Sequence, residues 1–351
     1  MGATGALFIL APVRDPDVSV LIPVLNEEGD IRETVAAMQA QELDGEIEFL
    51  FMDGRSEDRT KGILEELAQA DHRIRVLDNP NRHTAAGLNV GLSAARGRFV
   101  ARMDAHTMYP STYLAAGIRR LKEGGVDWVT GPTVPEARGD WSRRVALALG
   151  TRLGTGESNR WQTPEEGSEL ELDTGVFTGM WERAVLERHG GWDEGWPINQ
   201  DSELAVRMIR DGARIVSIGE MQARYFPRNS LKALTRQYFR YGMYRCKTAS
   251  RHPDSMRLSL LAPPGLAATL CVAILGRGWS RRLAQLGLLS YVGVSLAVSA
   301  GSIREAGLRD TAGIPVALAT MHLAWGFGFL AGAVRFGPPW EATLRGFGLR
   351  R

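Results

Sequence analysis

The chain has 351 residues, with 42 Lys/Arg against 40 Asp/Glu and two cysteines, Cys246 and Cys271. The balance hides an asymmetry: residues 1–223 carry 24 basic against 36 acidic side chains, residues 224–257 nine against one, and residues 258–351 nine against three. An acidic front excludes nucleic acid as the main partner, two cysteines exclude a disulfide framework and fit a reducing compartment, and a basic segment beside an apolar tail points to phosphates or anionic headgroups.

The opening MGATGALFILAPVRD has a short apolar run with no basic residues before it, and Ala6 stands where acylation of Gly2 needs Ser or Thr. Neither a signal peptide nor a myristoylation site is expected. Residues 18–22 (VSVLI) predict a buried strand ending at Pro23, followed by the loop VLNEEGD and a helix from about Ile31 to Gln41. Strands are predicted over 47–52, 74–77, 99–103 and 126–130, and helices over 57–70, 84–95 and from Pro110 to about Glu123. This alternation predicts an α/β fold with a mostly parallel sheet flanked by helices. Asn26, Glu27, Asp53 and Asp104 fall at carboxyl ends of strands, the edge where open α/β sheets bind ligands. Residues 139–172, polar and glycine-rich, read as irregular, and a helix is expected to start near Asp201. Three apolar stretches without charged residues, 259–276, 283–302 and 314–334, predict a C-terminal membrane helical region.

The strand-end carboxylates suggest chemistry on a diphosphate. A departing pyrophosphate needs its charge neutralised, and a divalent metal on one or two side chains does this. Asp104-Ala105-His106 offers two ligands: Asp suits Mg2+ or Mn2+, and His tilts the balance toward Mn2+. An isolated Asp-x-His is more often an ordinary loop. Asp53 can accept bonds from a base or ribose, or form an Asx-turn before the next helix. Asp201 in NQDSELAVRM reads as a general base, as a helix N-cap, or as both, since a helix N-terminus stabilises a carboxylate. Glu203 is its rival.

Taken together, the ordered motifs resemble the inverting family 2 glycosyltransferases with the nucleotide-sugar-binding A-type fold, and within them the succinoglycan-biosynthesis ExoA-like group. They are VSVLIPVLNEE at 18–28, MDGRSEDRT at 52–60, NPNRHTAAGLNVGLSAARG at 79–97, RMDAHTMYP at 102–110, DTGVFTGMWERAV at 173–185, NQDSELAVRMIRDG at 199–212 and RQYFRYG at 236–242. The resemblance covers roughly residues 17–250. It implies that Pro23, Asn26, Glu27, Asp53 and Asn89 line the nucleotide site with Arg82 and His83 near the donor. Asp104 would hold the ribose or the metal, and His106 would replace the second metal-binding carboxylate. Asp201 would be the base, and Gln237, Arg240 and Tyr241 would cover the pyrophosphate and the acceptor channel. Tyr241 stands where the family has Trp, and Gln200 where it has Glu.

The expectation is therefore an inverting, metal-dependent hexosyltransferase. Its donor would be UDP-glucose or UDP-galactose, and its acceptor a lipid-linked saccharide in polysaccharide or glycolipid biosynthesis. Residues 1–223 would form the catalytic domain, 224–258 a basic interfacial segment and 259–351 the membrane part, at the cell membrane with the catalytic domain facing the cytoplasm. Keeping the basic loop 277–282 inside predicts that 259–276 is interfacial or re-entrant, that 283–302 crosses outward, that 301–312 forms an outer loop, and that 314–334 crosses back. Two other readings are open: a nucleotidylyltransferase, which usually has a basic glycine-rich loop where this chain has the acidic IPVLNEEGDI, and a membrane-anchored sugar-nucleotide-binding protein without turnover.

Overall fold

The computed structural model describes residues 15–349 except 106, 157, 174 and 175, and gives no side-chain environment for residue 305. The leader expectation and His106 thus lie outside the described residues. In chain order the elements are β1 (Val18–Val24), α1 (Ile31–Gln39), β2 (Ile47–Asp53), α2 (Thr60–Ala70), β3 (Ile74–Asp78), α3 (Thr84–Ala94), β4 (Phe99–Arg102), β5 (Thr107–Met108), α4 (Tyr113–Lys122), β6 (Trp128–Thr130), β7 (Thr133–Pro135), α5 (Asp140–Leu149), α6 (Arg152–Thr155), β8 (Glu169–Glu171), β9 (Gly179–Glu182), α7 (Arg183–Arg188), α8 (Gln200–Arg210), β10 (Ile215–Ile218), β11 (Ala223–Tyr225), α9 (Leu231–Arg251), α10 (Ala262–Leu275), α11 (Gly278–Ala300), α12 (Ile303–Phe336) and α13 (Trp340–Gly346).

Among the described residues, eight strands form a mixed sheet in the order β3-β2-β1-β4-β9-β6-β10-β8. β3, β2, β1 and β4 are parallel, as are β6 and β10, while β9 runs antiparallel between β4 and β6. The parallel strands are continuous apolar runs because helices cover both faces. Val18, Val20, Ile22, Phe49 and Phe51 point to one face, and Leu21, Leu50 and Met52 to the other, against Ala85 and Leu88 of α3. Strand order reverses between β1 and β4, and the crevice at such a reversal is where α/β sheets hold ligands. Five described non-glycine residues have positive φ, and all lie along this edge: Asn26, Arg55, Arg82, Thr178 and Asn199. Local strain of this kind concentrates at functional sites.

Two expectations need correction. The span 139–172 is not irregular throughout. It contains the ten-residue helix α5, whose buried Val145, Ala148 and Leu149 pack on Ile314, Ala317 and Leu318 of α12. Its apolar stripe has a distant partner, which local polarity in the sequence conceals. Likewise, α12 does not leave the catalytic part of the chain. It lies along α9, where Gly242 and Gly328 let the backbones meet: a Cβ on Gly242 would sit 1.9 Å from the Trp325 carbonyl and one on Gly328 2.0 Å from that of Phe239. Asp310, near the start of α12, is paired with Arg143 (3.1 Å) and Arg144 (3.3 Å) of α5. Beyond its end, the Gly337 carbonyl accepts from Ser250 of α9 (3.2 Å) and Arg345 pairs with Asp254. Both ends of α12 are therefore tied to the catalytic part of the chain, and residues 301–312 are a turn and helix start held to α5 by ion pairs rather than a free loop.

Three helical segments, 258–275, 278–300 and 306–336, are long and apolar enough to cross a membrane. They associate the protein with a membrane, and α10 and α11 pair with each other and pack on α12, where Tyr291 bonds to His322 at 2.8 Å. Leu275, Trp279, Leu283, Leu286 and Leu289 are exposed on that pair, as a lipid-facing surface requires. In a Cys246→Ala, Cys271→Ser background, Leu308→Cys should react with a membrane-impermeant maleimide from the same side as Ser93→Cys in the catalytic domain. Labelling from opposite sides would restore a crossing by α12.

Candidate active site

The site grows from the ends of β4 and α8. Arg102 ends β4 and is 3% exposed. Its Nε and Nη2 donate to the two Asp104 carboxylate oxygens at 2.8 and 3.1 Å, and its Nη1 donates to Asp201 Oδ1. One buried guanidinium thus joins the two carboxylates, and they hold its pKa above the ordinary arginine value despite burial. Asp104 is further fixed by its backbone N–H, which donates to the Tyr109 hydroxyl at 2.9 Å.

Asp201, in the first turn of α8, is 7% exposed. Its Oδ1 also accepts from the Trp192 indole at 3.3 Å. Oδ2 has no partner among the described residues and is not sealed from solvent, so one oxygen is anchored and the other faces the cavity. Burial pushes the Asp201 carboxyl above the usual carboxylate range, and the charge of Arg102 only partly offsets this. Trp192 is set in turn by Trp181, edge-on at 5.7 Å, and by Asn89, whose amide donates to the Trp192 carbonyl (2.8 Å) and accepts its N–H (3.0 Å). Glu203 serves a different purpose. Burial would raise its pKa, but hydrogen bonds from His252 (3.2 Å) and Arg207 (2.8 Å) hold it lowered, and it ties α8 to the end of α9.

Asp104 and Asp201 open on a cavity of about 940 Å³ whose far wall is α9. Gln237 donates to the hydroxyls of Tyr225 (3.1 Å) and Tyr241 (3.0 Å) there. Arg152, Arg160, Arg228, Arg245 and Arg257 add positive charge, and Leu266, Met321 and Trp325 of the apolar helices complete the lining.

The other expected residues form a second group along the neighbouring strand ends. Asn26 Oδ1 accepts the Glu57 N–H (2.8 Å), the Asn26 N–H donates to Ser56 Oγ (2.9 Å), and the Glu27 N–H donates to Thr60 Oγ1 (2.7 Å). These bonds clasp the loops after β1 and β2, beside Pro23 in β1. Asp53 forms the Asx-turn, both oxygens accepting from the Ser56 N–H at 3.3 Å. Arg82 pairs with Glu57 (2.7 Å), and His83 caps α3 by accepting the Ala86 N–H (3.3 Å). None of these residues lines the cavity, and neither do Asn89, which grips the segment at 192–194, and Arg240, which is exposed on the flank of α9.

Arg102 and Trp192 are the residues that sequence reasoning passed over. An arginine inside an otherwise apolar strand, two positions before an acidic strand end, was the available signal for Arg102. For Trp192 no local pattern gave one, and Arg245 was one of three arginines of the basic segment among which motif spacing favoured Arg240.

The Glycosyl transferase family 2 profile matches residues 19–181. Among curated proteins, the succinoglycan biosynthesis protein ExoA of Rhizobium meliloti is 29% identical over 318 residues, 88% of this chain and 93% of its own length. Residues 19–181 are therefore similar to glycosyl transferase family 2. The chain is related to ExoA-like glycosyltransferases and transfers a sugar, with inversion, from a nucleoside-diphosphate-sugar donor. A Methanococcus voltae dolichyl N-acetyl-alpha-D-glucosaminyl phosphate 3-beta-D-2,3-diacetamido-2,3-dideoxy-beta-D-glucuronosyltransferase is 25% identical over 64% of this chain and 71% of its own. The mannosyltransferase PcManGT of Pyrobaculum calidifontis, solved with GDP-Man and Mn2+, shares the fold, with a TM-score of 0.51 and 19% identity, over 96% of this chain and 88% of that one.

Removing the shared guanidinium should leave two buried carboxylates without a counter-charge. Arg102→Met should cost about 3–5 kcal/mol of stability near pH 8. The loss should shrink toward pH 5, because protonation of Asp201, whose carboxyl burial already pushes above the usual range, then relieves the repulsion. Thermal unfolding of the detergent-solubilised protein at the two pH values measures this, and an equal loss at both would contradict it.

Proposed function

We propose that the chain transfers a hexose from a uridine-diphosphate donor, UDP-glucose or UDP-galactose, to a hydroxyl of a lipid-linked saccharide, with Asp201 as general base and the catalytic domain on the cytoplasmic side. The observation that carries this is the divided Asp201 carboxylate: Oδ1 anchored by Arg102 and Trp192, Oδ2 open to a cavity that also touches Asp104 and the apolar helices. The uridine and the hexose rest on the family motifs, and the lipid-linked acceptor on the cavity's continuation between the helices. The Methanococcus relative, named for a dolichyl phosphate-linked substrate, supports that acceptor class.

In the proposed reaction the acceptor hydroxyl lies against Asp201 Oδ2. Its oxygen attacks the anomeric carbon while Oδ2 takes its proton, and the bond from that carbon to the diphosphate oxygen breaks. Arg102 keeps Oδ2 aimed and stays charged throughout. Arg160 and Arg228 face the leaving diphosphate, and Gln237 with Tyr241 walls the acceptor side. The clasped loops carrying Asn26, Glu27, Asp53 and Arg82 form the nucleotide edge.

Among the described residues no group of three His, Cys, Asp or Glu could hold a metal. Asp104 nevertheless fits one: Arg102 takes one lone pair from each oxygen, and each keeps another, hard enough for Mn2+ or Mg2+. Asp104, with His106 beside it in sequence, would hold the ion, which supplies charge neutralisation for the diphosphate. The fold relative solved with GDP-Man and Mn2+ supports this assignment.

Asp201→Asn should reduce transfer by about 10²–10⁴-fold with UDP affinity retained. The wild-type kcat/KM should fall as pH drops through a pKa raised above the ordinary aspartate value, because the base works only as the carboxylate and burial raises it. A variant that keeps its transfer rate would remove the base assignment. A donor panel decides the sugar and the base: selective use of a guanosine or thymidine donor would overturn the uridine reading. UDP-hexose affinity should fall with chelator and return with Mn2+, and Asp104→Ala should abolish that response. Chelator-insensitive binding and turnover would exclude the metal.

A further inference from the structure

Arg245 lies on α9 one turn past Tyr241, at the end of the cavity nearest α10. Its residue is 7% exposed. One nitrogen, Nη2, donates to the Ser255 carbonyl. Nε and Nη1 bond to nothing among the described residues, yet neither is sealed from the cavity. No described carboxylate pairs with it, in contrast to Arg102, which has two, and to Arg257, paired with Asp173. Burial alone pushes its pKa down to about 10. A buried, charged guanidinium without a counter-ion is unfavourable unless a ligand brings the anion.

We infer that Arg245 is the anchor for the phosphate that joins the saccharide acceptor to its lipid, whose chain lies along the apolar lining contributed by α10 and α12. Position separates this phosphate from the donor's. The diphosphate of the donor belongs at the strand ends beside Asp104. Arg245 instead bonds to the segment that leads into α10, and the lining there turns apolar through Leu260, Pro263, Leu266 and Trp325. A guanidinium next to an apolar exit matches a molecule whose charged head adjoins a hydrocarbon chain. The inference rests on the lipid-linked acceptor proposed above and adds the residue that reads its head.

The test uses the full chain in detergent, with farnesyl phosphate, farnesol, inorganic phosphate and UDP as probes in calorimetric titrations. Farnesyl phosphate should bind at least about tenfold more tightly than farnesol or inorganic phosphate, and Arg245→Met should erase that advantage while UDP affinity stays within about threefold. Arg245→Lys should recover part of it, since the charge remains but the planar fork is lost. Farnesol binding as well as farnesyl phosphate would overturn the phosphate anchor, and this comparison needs only the wild type should the Met variant fail to fold. Inorganic phosphate binding as tightly would mark a free-anion site, and a parallel loss of UDP affinity in Arg245→Met would assign Arg245 to the donor; either result overturns the inference. Intact UDP binding without farnesyl phosphate binding sinks the acceptor anchor alone, whereas loss of both in the wild type sinks the proposed function itself.

Discussion

The Arg102 guanidinium neutralises two carboxylates that arrive from different parts of the fold, Asp104 from the end of β4 and Asp201 from the first turn of α8. Without it, both acids would lie buried within repulsive range of each other, and neither the strand-end loop nor the start of α8 would keep its place. With it, the three groups form one rigid unit. The same contact divides the labour at Asp201: one oxygen is held by Arg102 and Trp192, and the other remains available at the cavity. Burial that raises the Asp201 pKa makes it a stronger base than an exposed carboxylate, and the charge of Arg102 limits the rise.

The surrounding structure serves that unit at increasing distance. Trp192 is locked by the Trp181 edge and by Asn89, so a residue in the middle of α3 sets the position of an indole that touches Asp201. Gly191, in the left-handed region, makes this possible, because a Cβ there would lie 2.6 Å from Asn89 Oδ1. On the far side, α9 carries the cavity wall on one face and packs against α12 on another. The helices that reach lipid and the wall that faces the sheet edge are therefore one packed body, which suits a soluble donor and a membrane-bound acceptor meeting at a single cavity.

Much of the fold was legible because its causes are local. Continuous apolar runs marked β1 and β2, turn residues ended them, and the acidic residues fell just after them. The placement of Asp104 and Asp201 at one site followed from motif order rather than from any local pattern. What stayed hidden depended on partners far along the chain. Arg102 is charged in a buried strand because Asp201, 99 residues away, accepts from it. The polar stretch 139–172 contains a helix because α12 covers its apolar side. The expected role of Arg240 came from motif spacing alone, and the rotation of α9 turns that side chain outward while Tyr241 and Arg245 face in. Hydropathy counted α12 as a crossing segment and had no means of showing Asp310 bound to α5.

A structure of the full chain with Mn2+ and a non-hydrolysable UDP-hexose analogue tests most directly that the arginine-bridged carboxylates are the reaction centre. The prediction is a sugar seated between Asp104 and Asp201, with room for one hydroxyl oxygen about 3–3.5 Å from the anomeric carbon and within hydrogen-bond reach of Asp201 Oδ2. An anomeric carbon facing away from Asp201, or an Asp201 carboxylate with both oxygens sequestered by Arg102, would contradict it.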